Sequence, residues 1–228
     1  MRRNRTLIAL AMAALIVAGA LYAANNTLTS AEKKAGWTLL FNGRSLNGWK
    51  ATGNPKGWAV ENGAICNTVN GGGLATTRQY GDFSLSIDVK YEKGANSGIF
   101  FHWTDLGDPV QTGIEMQILD SYGKKQADKH DFGAIYDCLA PSRIACKPAG
   151  EWNNVALTCR KNRILVDVNG MRVINMNLDR WTTPHQNPDG TGNKFDTAYK
   201  NLPRKGYIGL QDHGHRVWFR NNKIRTLN

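Results

Sequence analysis

A strict two-residue alternation of apolar and polar side chains most limits how this chain of 228 residues can fold. Between residues 82 and 89 every second side chain is apolar, which is the pattern of a strand buried on one face. The same alternation returns over residues 114–118, 155–159 and 164–168. Asn169-Gly170 follows the last of these segments, and this pair predicts a tight hairpin because both residues tolerate positive φ. Further strands are expected over residues 37–41, 99–103, 207–210 and 217–219.

No segment after residue 24 keeps a 3.6-residue periodicity, so we expect only a few short helices. About a dozen short strands predict an all-β chain folded as a single two-sheet jelly-roll sandwich. Residues 177–205 interrupt the pattern with three prolines and two turn pairs, Asp189-Gly190 and Gly192-Asn193. Loops of this length are usually functional lids or disordered insertions, and we predict that this one lies beside the binding face.

The N-terminus has the pattern of an export signal. Three of the first five residues are arginine, and an uncharged apolar run follows up to residue 24. This run is slightly shorter than the ~20 apolar residues of a membrane span. We predict a cleaved signal peptide over residues 1–24, with an uncleaved N-terminal anchor as the alternative, then a polar tether over 25–36 and one domain over 37–228. The protein would then be exported, to the periplasm or the cell exterior.

The 29 lysines and arginines against 18 acidic residues give a formal net charge of +11, which raises the question of nucleic-acid binding. Three of these cations belong to the expected signal, and the others are scattered. No basic stripe interleaves with aromatic residues in the sequence, as single-strand binding would require. We therefore predict no nucleic-acid partner, and no membrane contact beyond an N-terminal anchor.

Export would permit disulfides among the four cysteines. Cys138 and Cys146 flank a short loop and are predicted to form one bridge, while Cys66 and Cys159 are candidates for a second. The alternative is four free, buried thiols. No Cys-x-x-Cys pair occurs, so nothing in the sequence indicates a structural zinc site.

Polar residues of three expected strands suggest a sugar-binding face. Glu115 and Gln117 are two residues apart and therefore point the same way. His102, on the preceding strand, would share a face with Glu115 if the two strands are neighbours. Gln211 and His213 also share a face near the C-terminus, and His213-x-His215 has the spacing of a metal-binding pair. Sugar sites combine such polar side chains with aromatic rings, although a solvated polar face would give the same pattern.

Seven segments occur in an order that is specific as a set. They are Leu40-Phe41-Asn42-Gly43-Arg44-Ser45-Leu46-Asn47-Gly48-Trp49, Asn96-Ser97-Gly98-Ile99-Phe100, Glu115-Met116-Gln117-Ile118-Leu119-Asp120, Gly133-Ala134-Ile135-Tyr136, Lys147-Pro148-Ala149-Gly150-Glu151-Trp152-Asn153, Gly209-Leu210-Gln211-Asp212-His213-Gly214 and Val217-Trp218-Phe219-Arg220-Asn221. The chain resembles the 3-keto-disaccharide (3-keto-glucoside) hydrolase domain family over about residues 36–227. That family has a concanavalin/laminin-G-like jelly-roll fold similar to family 16 glycoside hydrolases.

Two segments of the chain depart from what the resemblance leads us to expect. Family 16 enzymes carry Glu-x-Asp-x-x-Glu on one strand, and this chain has Glu115-x-Gln117-x-x-Asp120. With an amide in the middle, and with Asp120 on the opposite side of a regular strand, a retaining mechanism with two carboxylates is not expected. Asn222 replaces the apolar residue that usually follows Phe-Arg-Asn in the family.

The resemblance implies cleavage of 3-keto-glycosides by elimination across C1 and C2, followed by hydration. Glu115 or His213 would be the base, and His102 would complete the catalytic set. The oligosaccharide or glycoside substrate would be held by Gln117, Gln211, Asn96, Tyr136, Lys147 and Arg220. No cofactor is certain, and a divalent metal bound through Glu115 and His213 stays an open alternative. The competing function is a non-catalytic carbohydrate-binding module of the same fold.

Overall fold

The computed structural model describes residues 25–68 and 70–227 of the chain, and the expected signal segment 1–24 lies outside them. Strands are the main regular secondary structure of the described chain. The strands are β1 Thr38–Leu39, β2 Trp49–Ala51, β3 Trp58–Glu61, β4 Ala64–Asn67, β5 Gly73–Tyr80, β6 Phe83–Tyr91, β7 Asn96–Trp103, β8 Ile114–Leu119, β9 Asn153–Arg160, β10 Arg163–Val168, β11 Met171–Asn177, β12 Gly206–Gln211 and β13 Val217–Thr226. The helices are α1 Ser30–Lys34 and α2 Pro109–Thr112, with 3-10 turns at Pro55–Gly57, Leu178–Arg180 and Tyr199–Asn201.

The strands form two antiparallel sheets packed face to face. An eight-stranded sheet, sheet A, has the order β11-β10-β9-β6-β13-β4-β3, with β1 added beside β13. A five-stranded sheet, sheet B, has the order β2-β5-β12-β7-β8. Sequence neighbours are often separated in these orders, as expected for a jelly roll and not for a simple meander. The predicted all-β, concanavalin-like sandwich with only short helices is confirmed.

Alternating side chains of both sheets fill the space between them. On β6 the predicted apolar residues Phe83, Leu85, Ile87 and Val89 are all buried, and none is more than 1% exposed. The hairpin between β10 and β11 turns at Asn169-Gly170 with φ of 51° and 78°, as the pair predicts.

The segment expected to be a loose tether is attached to the sandwich. Asn26 is 8% exposed, and its side-chain oxygen accepts a hydrogen bond from the backbone of Asn221 at 2.9 Å while its amide donates to Gly63 O at 2.8 Å. α1 follows, and a capping box formed by Thr29 and Glu32 begins it. Ordered structure therefore starts at least ten residues before Trp37, because paired asparagines fix the chain there. No helix in the described ranges is long and apolar enough to cross a membrane.

A bulge near the end of β7 reverses the side-chain alternation of that strand. Tyr207 and Gly209 on β12 pair with Trp103 and Phe100, so β7 carries one residue more than its partner. His102 takes the extra position with a φ of 50°. Beyond the bulge, Trp103 packs beside Phe100 on the face of sheet B that is turned away from sheet A.

Trp103 belongs to a small apolar cluster outside the main core. Its buried members are Ala75, Phe100 and Trp103, with Leu106 and Tyr207 packed against them. The indole lies against the glycine positions of β5 and β12. A Cβ at Gly73 or Gly209 would come within 2.7 Å of the ring, so both positions exclude a side chain.

The predicted Cys138–Cys146 bridge is wrong, as is the second bridge, because Cys66, Cys138, Cys146 and Cys159 are all free and buried. Cys146 lies near the Tyr91 hydroxyl and Cys138 near the Tyr199 hydroxyl, so the two thiols have different neighbours in the core. Burial raises the pKa of Cys138 to about 12, which keeps it a neutral thiol.

Candidate active site

A cleft of about 190 Å³ opens on the face of sheet B that is turned away from sheet A. It brings together side chains from β7, β8, β12, α2 and three loops. Its lining residues are Asn96, Val110, Glu115, Gln117, Tyr136, Lys194, Gln211 and His213. Six of these were predicted as site residues from the sequence. Lys194 and Val110 were not.

Glu115 lines this cleft from β8, which is the neighbour of β7 in sheet B. Glu115 pairs with Phe100, and Gln117 pairs with Gly98 in the same register. The Glu115 side chain leans over Gly98, where the missing side chain leaves room for the carboxyl group. Asp120 accepts a hydrogen bond from the Gly94 backbone at 2.9 Å and does not line the cleft, so the cleft holds one carboxyl group.

The Glu115 carboxyl is held in a poorly hydrated position. The residue is only 7% exposed. This burial raises its pKa to about 7, because the charged carboxylate loses more hydration free energy on burial than the neutral acid does. The nearby Lys194 ammonium acts in the opposite direction and favours the carboxylate. A carboxyl group that titrates near neutral pH is suited to general base catalysis.

Two amide side chains present acceptors beside Glu115. Gln117 donates through Nε2 to Asn96 Oδ1 at 2.8 Å, which fixes the orientation of its amide. The Oε1 atoms of Gln117 and Gln211 are buried and have no hydrogen-bond partner in the described chain. Buried acceptors without partners are costly, so ligand hydroxyl groups would satisfy them.

Tyr136 is positioned by backbone hydrogen bonds to β8, the edge strand of sheet B. Residues 133–136 run beside β8, with Gly133 N donating to Gln117 O at 2.8 Å and Tyr136 N donating to Glu115 O at 3.0 Å. The phenol ring is thereby held next to the carboxyl group. His130 packs edge-on against this ring at 4.9 Å between centroids.

His213 enters the cleft just after the end of β12. Its neighbour Asp212 points the other way and accepts hydrogen bonds from Asn67 Nδ2 at 2.7 Å and from the Gly214 backbone at 3.0 Å. Because successive side chains of an extended segment point to opposite faces, His213 points to the same face as Gln211, on which the cleft lies. His215 is not among the lining residues, and its carbonyl accepts a bond from Asn67.

The long proline-containing loop lies beside this cleft, as predicted, and supplies Lys194. Lys194 Nζ lies 4.4 Å from the centroid of the Tyr136 ring. The loop backbone is fixed on both sides, since Lys194 N donates to Asp137 Oδ2 at 2.9 Å and Gln111 Nε2 donates to Lys194 O at 3.1 Å. No motif or periodicity marks Lys194 in the sequence. Its place within this loop was the available signal.

Three predicted site residues lie elsewhere. His102 is 2% exposed and packs on Phe83 at 5.8 Å between ring centroids, because the β7 bulge turns it toward the core and away from Glu115. Its Nε2 contacts Gly81 O at 3.1 Å, and burial lowers its pKa.

Arg220 belongs to sheet A, on the far side of the sandwich from the cleft, and stacks on Trp152 at 3.9 Å. Lys147 likewise stays outside the cleft. Its backbone is fixed by Tyr91 and Asn153, through bonds of 2.6 Å and 2.7 Å. Arg220 is therefore separated from the cleft by its place in sheet A, and Lys147 lies in the segment between β8 and β9, outside both sheets.

Glu115 and His213 share the cleft, as the metal alternative requires. Over residues 25–68 and 70–227, no group of three or more His, Cys, Asp or Glu side chains is placed to hold a metal ion. The protein groups arranged around the cleft are instead one carboxyl, one imidazole, one ammonium, one phenol and several amides.

Comparisons with known proteins identify the family of the chain. The profile of the 3-keto-alpha-glucoside-1,2-lyase-like domain family matches residues 36–225. A protein of Bacteroides thetaiotaomicron named 3-keto-disaccharide hydrolase is 29% identical, with 84% of this chain and 79% of that protein covered.

Solved structures share the architecture. A Parabacteroides distasonis protein described as a candidate glycosyl hydrolase is 33% identical, with a TM-score of 0.78 over 84% of this chain and 99% of that chain. The carbohydrate-binding module CBM66 of Bacillus subtilis, at 12% identity and a TM-score of 0.51 over 78% of this chain and 96% of that chain, shares the fold alone.

Proposed function

This chain belongs to the 3-keto-alpha-glucoside-1,2-lyase-like domain family, and we propose that it cleaves the glycosidic bond of 3-keto-glycosides by elimination across C1 and C2. The observation that carries the proposal is the buried Glu115 carboxyl, which has a pKa of about 7 and stands among hydrogen-bonding side chains in one cleft. A catalytic base works best when its pKa is close to the working pH.

The reaction follows from the acidity that a 3-keto group gives to the proton on C2. The Glu115 carboxylate takes this proton, the C2–C3 bond gains double-bond character, and the electron pair moves to the oxygen on C3. The carbonyl at C3 then re-forms, the electrons of the C2–C3 double bond become a C1–C2 double bond, and the bond from C1 to the glycosidic oxygen breaks with its electron pair on that oxygen. The leaving oxygen takes a proton, and His213, which lines the same cleft, is the proposed donor. Water then adds across C1 and C2 to give the free 3-keto sugar.

The amides of Gln117 and Gln211 would hold the sugar hydroxyl groups. Their buried, unpaired Oε1 atoms need donors, and a sugar presents several. Asn96 supports this arrangement because it fixes the Gln117 amide at 2.8 Å. Tyr136 supplies an aromatic surface beside the carboxyl.

The test is release of sugar from a 3-keto-glucoside by the wild-type protein and by Glu115→Gln and His213→Ala. We expect each variant to lose on the order of 10²–10⁴-fold in kcat, which is typical for removal of a general acid or base. Glu151→Gln, at an exposed position outside the cleft, is the matched control and should keep full activity. Unimpaired rates in both cleft variants would contradict the assignment.

The same experiment distinguishes the binding-module alternative. A module would bind unoxidised glycans and would release no product from the 3-keto substrate. An enzyme of the proposed kind requires the 3-keto group, because the C2 proton of an ordinary glucoside is not acidic enough to be removed.

We also propose that the enzyme acts outside the cytoplasm. The support is the arginine-led apolar segment at residues 1–24. Cell fractionation and N-terminal sequencing of the full chain would test it, and a cytoplasmic, uncleaved product would contradict it.

A further inference from the structure

We infer that Lys194 is a catalytic residue that stabilises the negative charge on the C3 oxygen while the C2 proton is held by Glu115. This inference rests on the proposed function of the cleft. Of the described residues that line the cleft, Lys194 is the one with an ammonium group. A cation near the C3 oxygen is what the elimination needs, since charge develops there.

The ammonium group of Lys194 is available for a ligand. Lys194 forms no salt bridge with any carboxylate of residues 25–68 and 70–227, whereas Lys124, Lys129 and Lys223 each do. Its Nζ rests over the Tyr136 ring at 4.4 Å, which holds the charge at the cleft without neutralising it. It is also close enough to Glu115 to favour the ionised carboxylate.

The backbone around Lys194 is fixed although the residue belongs to a long loop. Asp137 and Gln111 bind its N–H and its carbonyl, at 2.9 Å and 3.1 Å. The next residue, Phe195, is 5% exposed and packs on Tyr199 at 5.0 Å between ring centroids. Asp196 N also donates to Gln111 Oε1 at 3.0 Å. The donor is therefore positioned before substrate arrives, which is the condition for strong electrostatic stabilisation.

The charge balance of the reaction predicts which kinetic constant Lys194 affects. The 3-keto substrate and the enone product are neutral at C3. Negative charge is present on the C3 oxygen only between loss of the C2 proton and departure of the glycosidic oxygen. An interaction made mainly in that interval raises kcat and leaves KM nearly unchanged.

The experiment compares wild type with Lys194→Met, Lys194→Arg and Lys200→Met on one 3-keto-glucoside. Lys200 lies in the same loop, is exposed and does not line the cleft, so its substitution is the matched control. We expect kcat of Lys194→Met to fall about 10²–10³-fold with KM changed less than several-fold. Lys194→Arg should recover part of this loss, and Lys200→Met should behave as wild type.

A second readout separates catalysis from a structural role. Loss of the ammonium removes a charge that favours ionised Glu115, so the acid limb of kcat/KM should move to higher pH in Lys194→Met. An unchanged kcat in folded Lys194→Met, or an unmoved acid limb, would overturn the inference while leaving the proposed function intact. No cleavage by the wild-type protein would overturn both.

Discussion

The carboxyl of Glu115 occupies the space that a side chain at Gly98 would fill. A Cβ built on Gly98 would lie 2.1 Å from Glu115 Oε1, far inside van der Waals contact. The two residues are on neighbouring strands, with Gly98 opposite Gln117 and Glu115 opposite Phe100. Gly98 is therefore required by the position of the carboxyl group.

We predict that Gly98→Ala displaces the carboxyl and lowers kcat about 10²-fold, since a shift of about 1 Å in a reacting group has costs of that order. Activity on a 3-keto-glucoside and the melting temperature should be measured together. Gly81→Ala is the control, because a Cβ there would have its nearest neighbour at an ordinary 3.7 Å. Equal activity of the Gly98 and Gly81 variants would show that the carboxyl position is not critical.

The pH dependence of kcat/KM should report ionisation of Glu115. A base must be deprotonated to work, so activity should rise with pH through about 7, the pKa of the buried carboxyl. The other ionisable groups around it are Lys194, His213 and Tyr136 in the cleft and Tyr199 in the core. Measuring kcat/KM between about pH 5 and pH 9 gives the apparent pKa of this rise. If activity instead rose with an apparent pKa of 4.5, the ordinary value for a glutamate, buried Glu115 would be excluded as the base.

Glu115→Gln should stabilise the fold at alkaline pH. The unfolded chain releases this proton at about 4.5 and the folded protein at about 7, so the stability of the wild type falls as pH rises between these values. Each pKa unit corresponds to about 1.4 kcal/mol, so the variant should gain about 3 kcal/mol in the free energy of unfolding, relative to wild type, above pH 7. The variant should match wild type below pH 4.5 and exceed it above pH 7 in denaturant unfolding. A difference independent of pH would contradict the raised pKa.

Asn222→Leu should also stabilise the protein, for a different reason. Asn222 is fully buried on β13, and neither its Oδ1 nor its Nδ2 has a hydrogen-bond partner in the described chain. Replacing an unpaired buried amide by an apolar side chain is expected to contribute about 1–3 kcal/mol. Asn222→Asp should have the opposite effect, because it buries a charge. Thermal unfolding of the pair tests this, and a destabilised leucine variant would mean that the amide is satisfied in solution.

His102→Asn should lower stability without affecting catalysis. Asparagine tolerates the positive φ of this position, but the contact with Gly81 O and the packing on Phe83 are lost. We expect a loss of about 1 kcal/mol in the free energy of unfolding and an unchanged kcat. A large fall in kcat at preserved stability would contradict this prediction and would indicate a catalytic role for His102.

The sequence predicted the fold well where one local rule decides the structure. Alternation identified β6, β8, β9 and β10, and the Asn169-Gly170 pair identified the hairpin between β10 and β11. Glu115 and Gln117 lie together because a regular strand keeps residues i and i+2 on one face.

Other features depend on information that periodicity does not carry. A bulge of one residue moved His102 to the core, and nothing in the β7 sequence marks an extra residue. Arg220 was misplaced because alternation does not reveal which sheet a strand joins. Lys194 was missed because irregular loop structure brings it to the cleft through hydrogen bonds made by Asp137 and Gln111.

The β7 bulge also limits the length of ligand that this face can accept. By turning Trp103 outward, it places an indole across β5 and β12 next to Phe100, where Leu106 and Tyr207 complete the obstruction. We expect a glycan laid along the strands to be stopped there, because Trp103 lies three residues beyond Phe100, the partner of Glu115. We therefore expect the face to be closed at this end, and to receive the terminus of a short sugar chain and not the interior of a long polymer.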